Sequence, residues 1–467
     1  MLRSLNSSSS HDQEEEDDHE HHHQIHPDLP FTLHILPYHQ QQKLTRLPPP
    51  PPSHSLTIPV RGFISAIGGG PPSSFSSSVH LRQLLIRCAE FISLSDFSTA
   101  HQILSILSSN SSPHGDSSER LTYYFSEALS SHLNLQHHCN QDMDEQDDSE
   151  ALQSCYLSLN QVTPFIRFSH LTANQAILEA IEHSESPGTG HPIPIHIIDF
   201  NIMHGVQWPP FMQALTDRYS SSPPMLRITA TGKDMSKLHR TGDRLTKFAQ
   251  SLGLRFQFEP LLFPNDDPTS LALFLPSAVR ALPGEVLAVN CVLYLHRLIR
   301  EEDKDGRDLK LFLHRIKSLS PKVVTIAERE ANHNHPVFMQ RFLEALDHFS
   351  ALFDSLEATL PPKSRERLDV ERVLLGKEII DILGTNDNDG FLRRFRRRER
   401  HQRFGSWEGL MRSSGFSNVA LSPFALAQAK LLLKLHYPAE GYHLQALNDS
   451  LFLGWHSRAL FSVSSWQ

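Results

Sequence analysis

From Val79 onward the apolar positions recur at helical spacing. Leu81, Leu84, Leu85, Cys88, Ala89 and Ile92 follow i, i+3, i+4, i+7 and mark one face of a helix. Ala100, Ile103, Leu104 and Leu107 repeat the pattern in a second helix. Asp116 to Glu119, DSSE, has the form of a capping box, in which a side-chain oxygen takes up an unpaired N–H of the first turn. It predicts a third helix through Leu121, Tyr124, Phe125, Ala128 and Leu129. The three make a leucine-rich helical layer. The acidic stretch QHHCNQDMDEQDDSE interrupts it, and a further helical stretch follows in which Thr172 and Gln175 are placed to cap a helix through Ile181.

The period changes at Pro192. Ile193, Ile195, Ile197 and Ile198 form an apolar run of strand length between Gly190 and a polar turn. Further strands are expected at Leu226 to Ala230, Leu254 to Phe258, Val286 to Cys291 and Val323 to Ala327. Helical segments lie between several of them, at Phe211 to Arg218, Asp243 to Leu252 and Leu309 to Leu319. Strands alternating with helices imply a mostly parallel α/β sheet with helices on both faces. The Val286 and Val323 runs are almost continuously apolar, as strands buried on both faces should be, whereas LRFQF alternates and belongs nearer an edge. SLFLGW and LFSVSSW, separated by HSRA, read as a C-terminal antiparallel hairpin.

Composition changes this picture first at the N-terminus. Residues 1 to 78 hold a serine run, the acidic block Glu14 to Asp18, His21 to His23 and five prolines from Pro48 to Pro52. So few apolar residues cannot offset the entropy of ordering the backbone, and a disordered low-complexity tail is expected. Its histidines are read as low complexity, with no metal assigned. The remaining residues, 79–467, are long enough for one large domain. The four cysteines lie far apart without a C-x-x-C pair, so neither a disulfide framework nor a zinc site is indicated. A net charge of -9 argues against broad attraction to nucleic acid. No stretch reaches the roughly 18 apolar residues of a membrane span, and the chain reads as soluble and intracellular.

Four groups of residues invite a chemical reading. Asp199 and the loop from Asn201 to Gly205 would lie at the carboxyl end of the first strand, where open α/β sheets take their ligands. A cofactor loop there needs several glycines to let backbone approach the ligand. Only Gly205 is present, with Met203 and His204 filling the loop, so Asp199 is expected to fix the turn and no cofactor is assigned. AEREANHNH offers Glu328, Glu330, His333 and His335 at a strand end, but the spacing matches no defined metal motif and structural hydrogen bonding is preferred. FLRRFRRRERHQRF carries Arg393, Arg394, Arg396, Arg397, Arg398, Arg400 and Arg403, read either as a nuclear import signal or phosphate contact or as a solvated helix face with Phe395 and Phe404 inward. LRQLL, Leu81 to Leu85, fits a docking-helix pattern, though its leucines also continue a core stripe.

Taken together, these residues resemble the GRAS family of plant transcription regulators, whose motifs run leucine-rich region, VHIID, second leucine-rich region, PFYRE and SAW. Here Ile195, His196, Ile197, Ile198 and Asp199 resemble VHIID. Trp407 with Gly415 keeps the W-x7-G spacing, and Trp455 with Trp466 keeps W-x10-W. Ser464, Ser465 and Trp466 stand where the family has SAW. PFYRE is the loosest match: Pro321 and Phe349 can be placed, His348 precedes the aromatic, and Gln402 stands where an acid would follow Arg400. The regions would run 79–150 (first leucine-rich region, a helical cap), 160–228 (VHIID), 237–263 (second leucine-rich region), 279–384 (PFYRE) and 388–467 (SAW).

TPFIRFSHLTANQAIL, FDSLEATLPPKSRERL and LKLHYPAEGYHLQ are similar to the Lateral suppressor branch of the family. The resemblance implies a Rossmann-like fold related to methyltransferases, with an N-terminal helical cap. It also implies a nuclear, non-enzymatic regulator that promotes axillary meristem initiation and shoot branching, associating as a homo- or heterodimer with other GRAS proteins and with DNA-binding transcription factors. DNA contact would be indirect. The expected partner surface is the first leucine-rich region, with Leu81, Leu84, Leu85, Leu104 and Leu107. The competing readings are a methyltransferase-like enzyme working at Asp199 and a direct DNA binder.

Overall fold

Every apolar run expected to be a strand forms one. β1 (Ile195–Asp199), β2 (Leu226–Gly232), β3 (Phe256–Leu262), β4 (Val286–Val292) and β5 (Val323–Arg329) pair in parallel in the order 3-2-1-4-5. The structure, a computed structural model, describes residues 74–135, 148–184, 193–219, 222–263, 266–280, 282–301, 303, 305–361, 363–384, 399–437 and 440–467. β4 and β5 are buried along their whole length, as their apolar sequences require, and β3 lies at the sheet edge with every residue at least partly exposed. β3 sits two residues later than the sequence pattern placed it and runs through Pro260, which an edge strand tolerates because its outer side has no neighbour to serve.

Past β5 the sheet turns antiparallel. β6 (Asn418–Val419) pairs with the end of β9 (Arg458–Trp466). β9 lies between β5 and β8 (Ser450–Trp455), and β7 (Tyr442–Leu447) closes the far edge. The expected hairpin is β8–β9, turned through His456 at φ 49. This is a Rossmann-like α/β sheet with an antiparallel extension.

Three helices make the cap: α1 (Ser74–Ser93), α2 (Phe97–Ser109) and α3 (Ser117–Leu135). α1 begins at Ser74, so the tail boundary drawn at residue 78 falls inside it; residues 1–73, with the expected disorder, lie outside the described residues. Asp116 caps α3 as expected, its Oδ1 accepting from the Glu119 N–H at 2.9 Å. α4 (Asp148–Val162) and α5 (Pro164–Glu182) follow. Thr172 and Gln175 do not cap a helix, because both lie buried in the middle of α5. The start signal is Pro164 at its first position, where a missing N–H is harmless.

The remaining helices are α6 (Trp208–Arg218), α7 (Met235–Ser251), α8 (Pro268–Ala278), α9 (Arg307–Ser318), α10 (Phe338–Thr359), α11 (Arg365–Asp369), α12 (Gly376–Leu383), α13 (Phe404–Ser413) and α14 (Pro423–His436). α8, α9 and α13 cover one face of the sheet, packing Leu271, Phe312 and Trp407 with Ile198, Val289, Ile326 and Trp466. α5 covers the other, where Phe165 stacks on Phe461 at 4.9 Å between ring centres. Because strand side chains alternate, Ile198 points to the first face and Asp199 to the second. α7 packs so closely on β3 that a Cβ at Gly242 would stand 2.4 Å from Phe258 Cδ1.

The cap is fastened by a charge. Arg120 of α3, fully buried, donates through Nε to both carboxylate oxygens of Glu371 (3.1 and 3.0 Å) and through Nη1 to Glu357 Oε2 at 2.5 Å. Glu371 lies in a π-helical turn, Val370–Leu375, inserted between α11 and α12. Burial pushes its carboxyl up to about 7 against the pull of Arg120. Removing one partner of such a pair strands the other charge in the interior.

Candidate functional site

The VHIID-like strand ends at the point where strand order reverses, between β1 and β4, which is the ligand crevice of this fold class. In this chain its own side chains fill that crevice. Asp199 turns inward and accepts from the Asn201 N–H at 3.1 Å, from Trp208 Nε1 at 2.8 Å and from Asn290 Nδ2 at 3.3 Å. Gln207 Nε2 donates to Asn290 Oδ1 and to Asn174 Oδ1, each at 3.1 Å, and Thr325 Oγ1 donates to Asn290 Oδ1 at 2.9 Å. Asp199, Trp208, Gln207, Asn290, Asn174 and Thr325 are all buried. Burial raises the Asp199 carboxyl to about 6, and its three donors limit the rise.

Met203 adopts φ 44, a left-handed conformation uncommon outside glycine, and Gly205 follows at φ 67. A Cβ on Gly205 would meet Thr241 Cγ2 at 2.9 Å, so both space and backbone select glycine there. His196 faces away from the crevice. Its Nδ1 accepts from Arg227 at 3.1 Å and its Nε2 contacts Thr229 Oγ1 at 2.8 Å, so it sits as a neutral imidazole; burial, then the Arg227 charge, hold its pKa down to about 4.

The AEREANHNH segment builds a second buried constellation. Glu328 Oε1 accepts the N–H groups of Tyr294 and His296 (3.1 and 3.3 Å), and its Oε2 lies 2.7 Å from His296 Nδ1. His296 Nε2 and His401 Nε2 stand 3.2 and 3.3 Å from Glu399 Oε2, and His401 Nδ1 stands 3.1 Å from His333 Nδ1. His296, Glu399 and His401 bring ligand-type atoms within 4.8 Å of one another, a spacing that could hold a cation. Burial alone would lower the His296 pKa, but Glu328 and then Glu399 outweigh it and raise it to about 9. With that proton, His296 pairs with Glu328 on one side and Glu399 on the other, and the group forms an internal ion-pair network. Glu330 accepts the Phe404 N–H at 2.9 Å, while His335 is half-buried and its Nδ1 accepts the Val337 N–H at 3.1 Å. Of the four residues read from the segment, Glu328 and His333 join the network, and sequence spacing gave no sign of His296, Glu399 or His401.

Two expectations are corrected. Arg400, placed with the arginines for nuclear import or phosphate contact, is 3% exposed; it pairs with Glu301 at 2.6 Å and donates to Asn334 at 2.9 Å, so it is a structural cation. Arg393, Arg394, Arg396, Arg397 and Arg398 lie outside the described residues. Leu81, Leu85, Leu104 and Leu107, placed on a partner surface, are buried within the cap itself, and Leu84 is half-buried. The helical stripe is real, but its partners are α3 and α10 of the same chain.

Trp407, Trp455 and Trp466 are all buried, Trp466 Nε1 donating to Ser464 Oγ at 2.9 Å, and Gly415 ends α13 at φ 86. Ser465 pairs with Thr325 across β5–β9 and donates to the Val419 carbonyl at 2.8 Å. The last strand, with its tryptophan, therefore locks the middle of the sheet.

The GRAS domain family model matches residues 81–467. The chain belongs to the GRAS family. Scarecrow-like protein 18 of Arabidopsis thaliana is 49% identical over 83% of this chain and 91% of its own length. Protein MONOCULM 1 of Oryza sativa subsp. japonica is 40% identical over 83% of this chain and 88% of its own. The crystal structure of SCL7 in Oryza sativa superposes with a TM-score of 0.67 at 34% identity, covering 83% of this chain and 99% of that one. This GRAS chain is thus a plant transcriptional regulator whose relatives are regulatory proteins, and such regulators act in complexes with other proteins. Among the described residues of the GRAS chain, no helix is long and apolar enough to cross a membrane.

Proposed function

We propose that this chain is a nuclear, non-enzymatic transcription regulator that works as a homo- or heterodimer with other GRAS proteins and with DNA-binding transcription factors. It is carried to DNA by those factors and promotes axillary meristem initiation and shoot branching. The observation that carries the non-enzymatic part is the crevice packed by Asp199, Trp208, Asn290 and Gln207, which gives a ligand-binding architecture the interior of a scaffold. Likeness to Protein MONOCULM 1 supports the developmental part. With the cap leucines buried, the face offered to a partner is the outer side of α1 and α2, where Leu84 is half-buried and Ile106 is 49% exposed.

The test is a chromatin-association profile of the full chain in shoot tissue with and without its DNA-binding partners. Loss of occupancy when the partners are removed is the expected result. Binding of the same sites by the purified chain alone, with a steep salt dependence, would overturn it.

A further inference from the structure

Beside the closed crevice, on its β2 side, the surface opens into a cavity of about 380 Å3. Leu157 of α4 forms one wall, Met203 and His204 of the β1 elbow form another, and Lys237, Arg240 and Arg244 of α7 form the third. These three cations follow i, i+3, i+7 and therefore share one helix face. At a rise of about 1.5 Å per residue they span roughly 10 Å along the helix axis. No described residue of the lining is acidic.

The two arginines of this wall have no carboxylate partner among the described residues, and one of them is fixed in place. Arginines elsewhere in the described chain are commonly matched by a carboxylate: Arg218 with Glu182, Arg300 with Asp267, Arg403 and Arg458 with Glu344. Arg240 and Arg244 make no ion pair among the described residues, although the chain is acidic overall. Arg244 is nonetheless held in place, its Nη2 donating to the His204 carbonyl at 3.0 Å and to Thr241 Oγ1 at 3.2 Å. Burial, and then the neighbouring Arg240 charge, lower the Arg244 pKa.

We infer that this cavity binds a small molecule carrying two or more phosphate groups. Arg240 and Arg244 hold the phosphates through charge-assisted hydrogen bonds. The left-handed backbone at Met203 and Gly205 turns the elbow so that the His204 carbonyl anchors Arg244 rather than filling the cavity. A compact ligand is favoured over a nucleic-acid backbone because the site is walled on three sides and the chain's net charge of -9 opposes a long polyanion. The inference goes beyond the regulator reading and does not depend on it.

The test is calorimetry on the full-length chain with fructose 1,6-bisphosphate and inositol hexakisphosphate as probes, at ionic strength matched with sodium chloride. One-to-one binding by at least one probe is expected, weakened at least tenfold in the Arg240→Ala, Arg244→Ala double variant. Leu157→Trp, which fills the cavity from the opposite wall and leaves the arginines in place, should weaken it likewise. Unchanged affinity in both variants, or heat that follows ionic strength alone, would overturn the proposal. So would displacement of the probe by a short DNA duplex at equal or lower concentration, because the arginines would then be backbone contacts.

Discussion

Trp208→Phe isolates the bond on which the closed crevice depends. The substitution keeps an aromatic ring in the slot and deletes the indole N–H that Asp199 Oδ2 accepts at 2.8 Å. Both residues are at most 1% exposed, so no water replaces the lost donor. A hydrogen bond to a charged group contributes about 1.5–3 kcal/mol, and leaving a buried acceptor unpaired costs at the upper end of that range or beyond. The smaller ring adds about 1–2 kcal/mol of lost packing, below the 3–5 kcal/mol of a full aromatic-to-alanine change. The expected total is about 3–5 kcal/mol at pH 7.5, read as a fall in the urea midpoint by far-ultraviolet circular dichroism.

The pH dependence separates the two contributions. Asp199 is raised to about 6 in the folded chain, against roughly 3.9 unfolded. The folded state therefore holds this proton more tightly. The stability it contributes is fully present below pH 4 and is lost as pH rises through about 6. At pH 5 the carboxyl is mostly protonated and needs its donors less, so Trp208→Phe should cost less there than at pH 7.5. In an Asp199→Asn background, which carries no charge at either pH, the difference should vanish and the cycle should show a coupling above about 1 kcal/mol. A Trp208→Phe cost that is equal at both pH values and in both backgrounds would refute the reasoning, because indole packing alone would then account for it.

The cap and the α7–β3 contact give two further tests. Leu104→Asp places a charge in the cap interior and should cost about 3 kcal/mol or more. Ile106→Asp, at a half-exposed site, should stay within about 0.5 kcal/mol yet weaken partner association; thermal melts paired with light scattering distinguish the two. Gly242→Ala should destabilise by about 1–3 kcal/mol despite the better helix propensity of alanine, because its Cβ would overlap Phe258. A raised urea midpoint in that variant would show that β3 can move aside.

The apolar runs that became β1, β4 and β5 were legible because a strand buried on both faces needs nearly every position apolar, and only strands of that length fit between the turn signals. β7 was not legible: YHLQAL is half exposed and shares its alternation with many loops. The leucine stripes of the cap showed that a face is buried and nothing about what covers it, which is why Leu104 was placed at a partner interface. Arg400 failed for a related reason. Its partner Glu301 is 99 positions away, and a charge run reads as surface until such a partner is known. The sequence carries one further signal. Asn290 and Thr325 are polar residues inside strands otherwise almost wholly apolar, and buried polar groups are nearly always hydrogen-bonded. The two therefore pointed to a polar network at the sheet centre.

That network also explains why the crevice closes where it does. A cofactor loop rich in glycine keeps side chains out of the space above β1, whereas here Gln207 and Trp208 enter it directly from the start of α6 and meet Asn290 from β4. Asp199 could not stand in so buried a place alone. It keeps its carboxylate because one backbone and two side-chain donors converge on it. The same turn that carries Gln207 inward throws Met203 and His204 outward against α7, where the His204 carbonyl fixes Arg244. Closing the β1–β4 crevice and shaping the basic cavity beside it are thus two consequences of one loop conformation. Any substitution that lets the elbow relax, Gly205→Ala first among them, should disturb both at once.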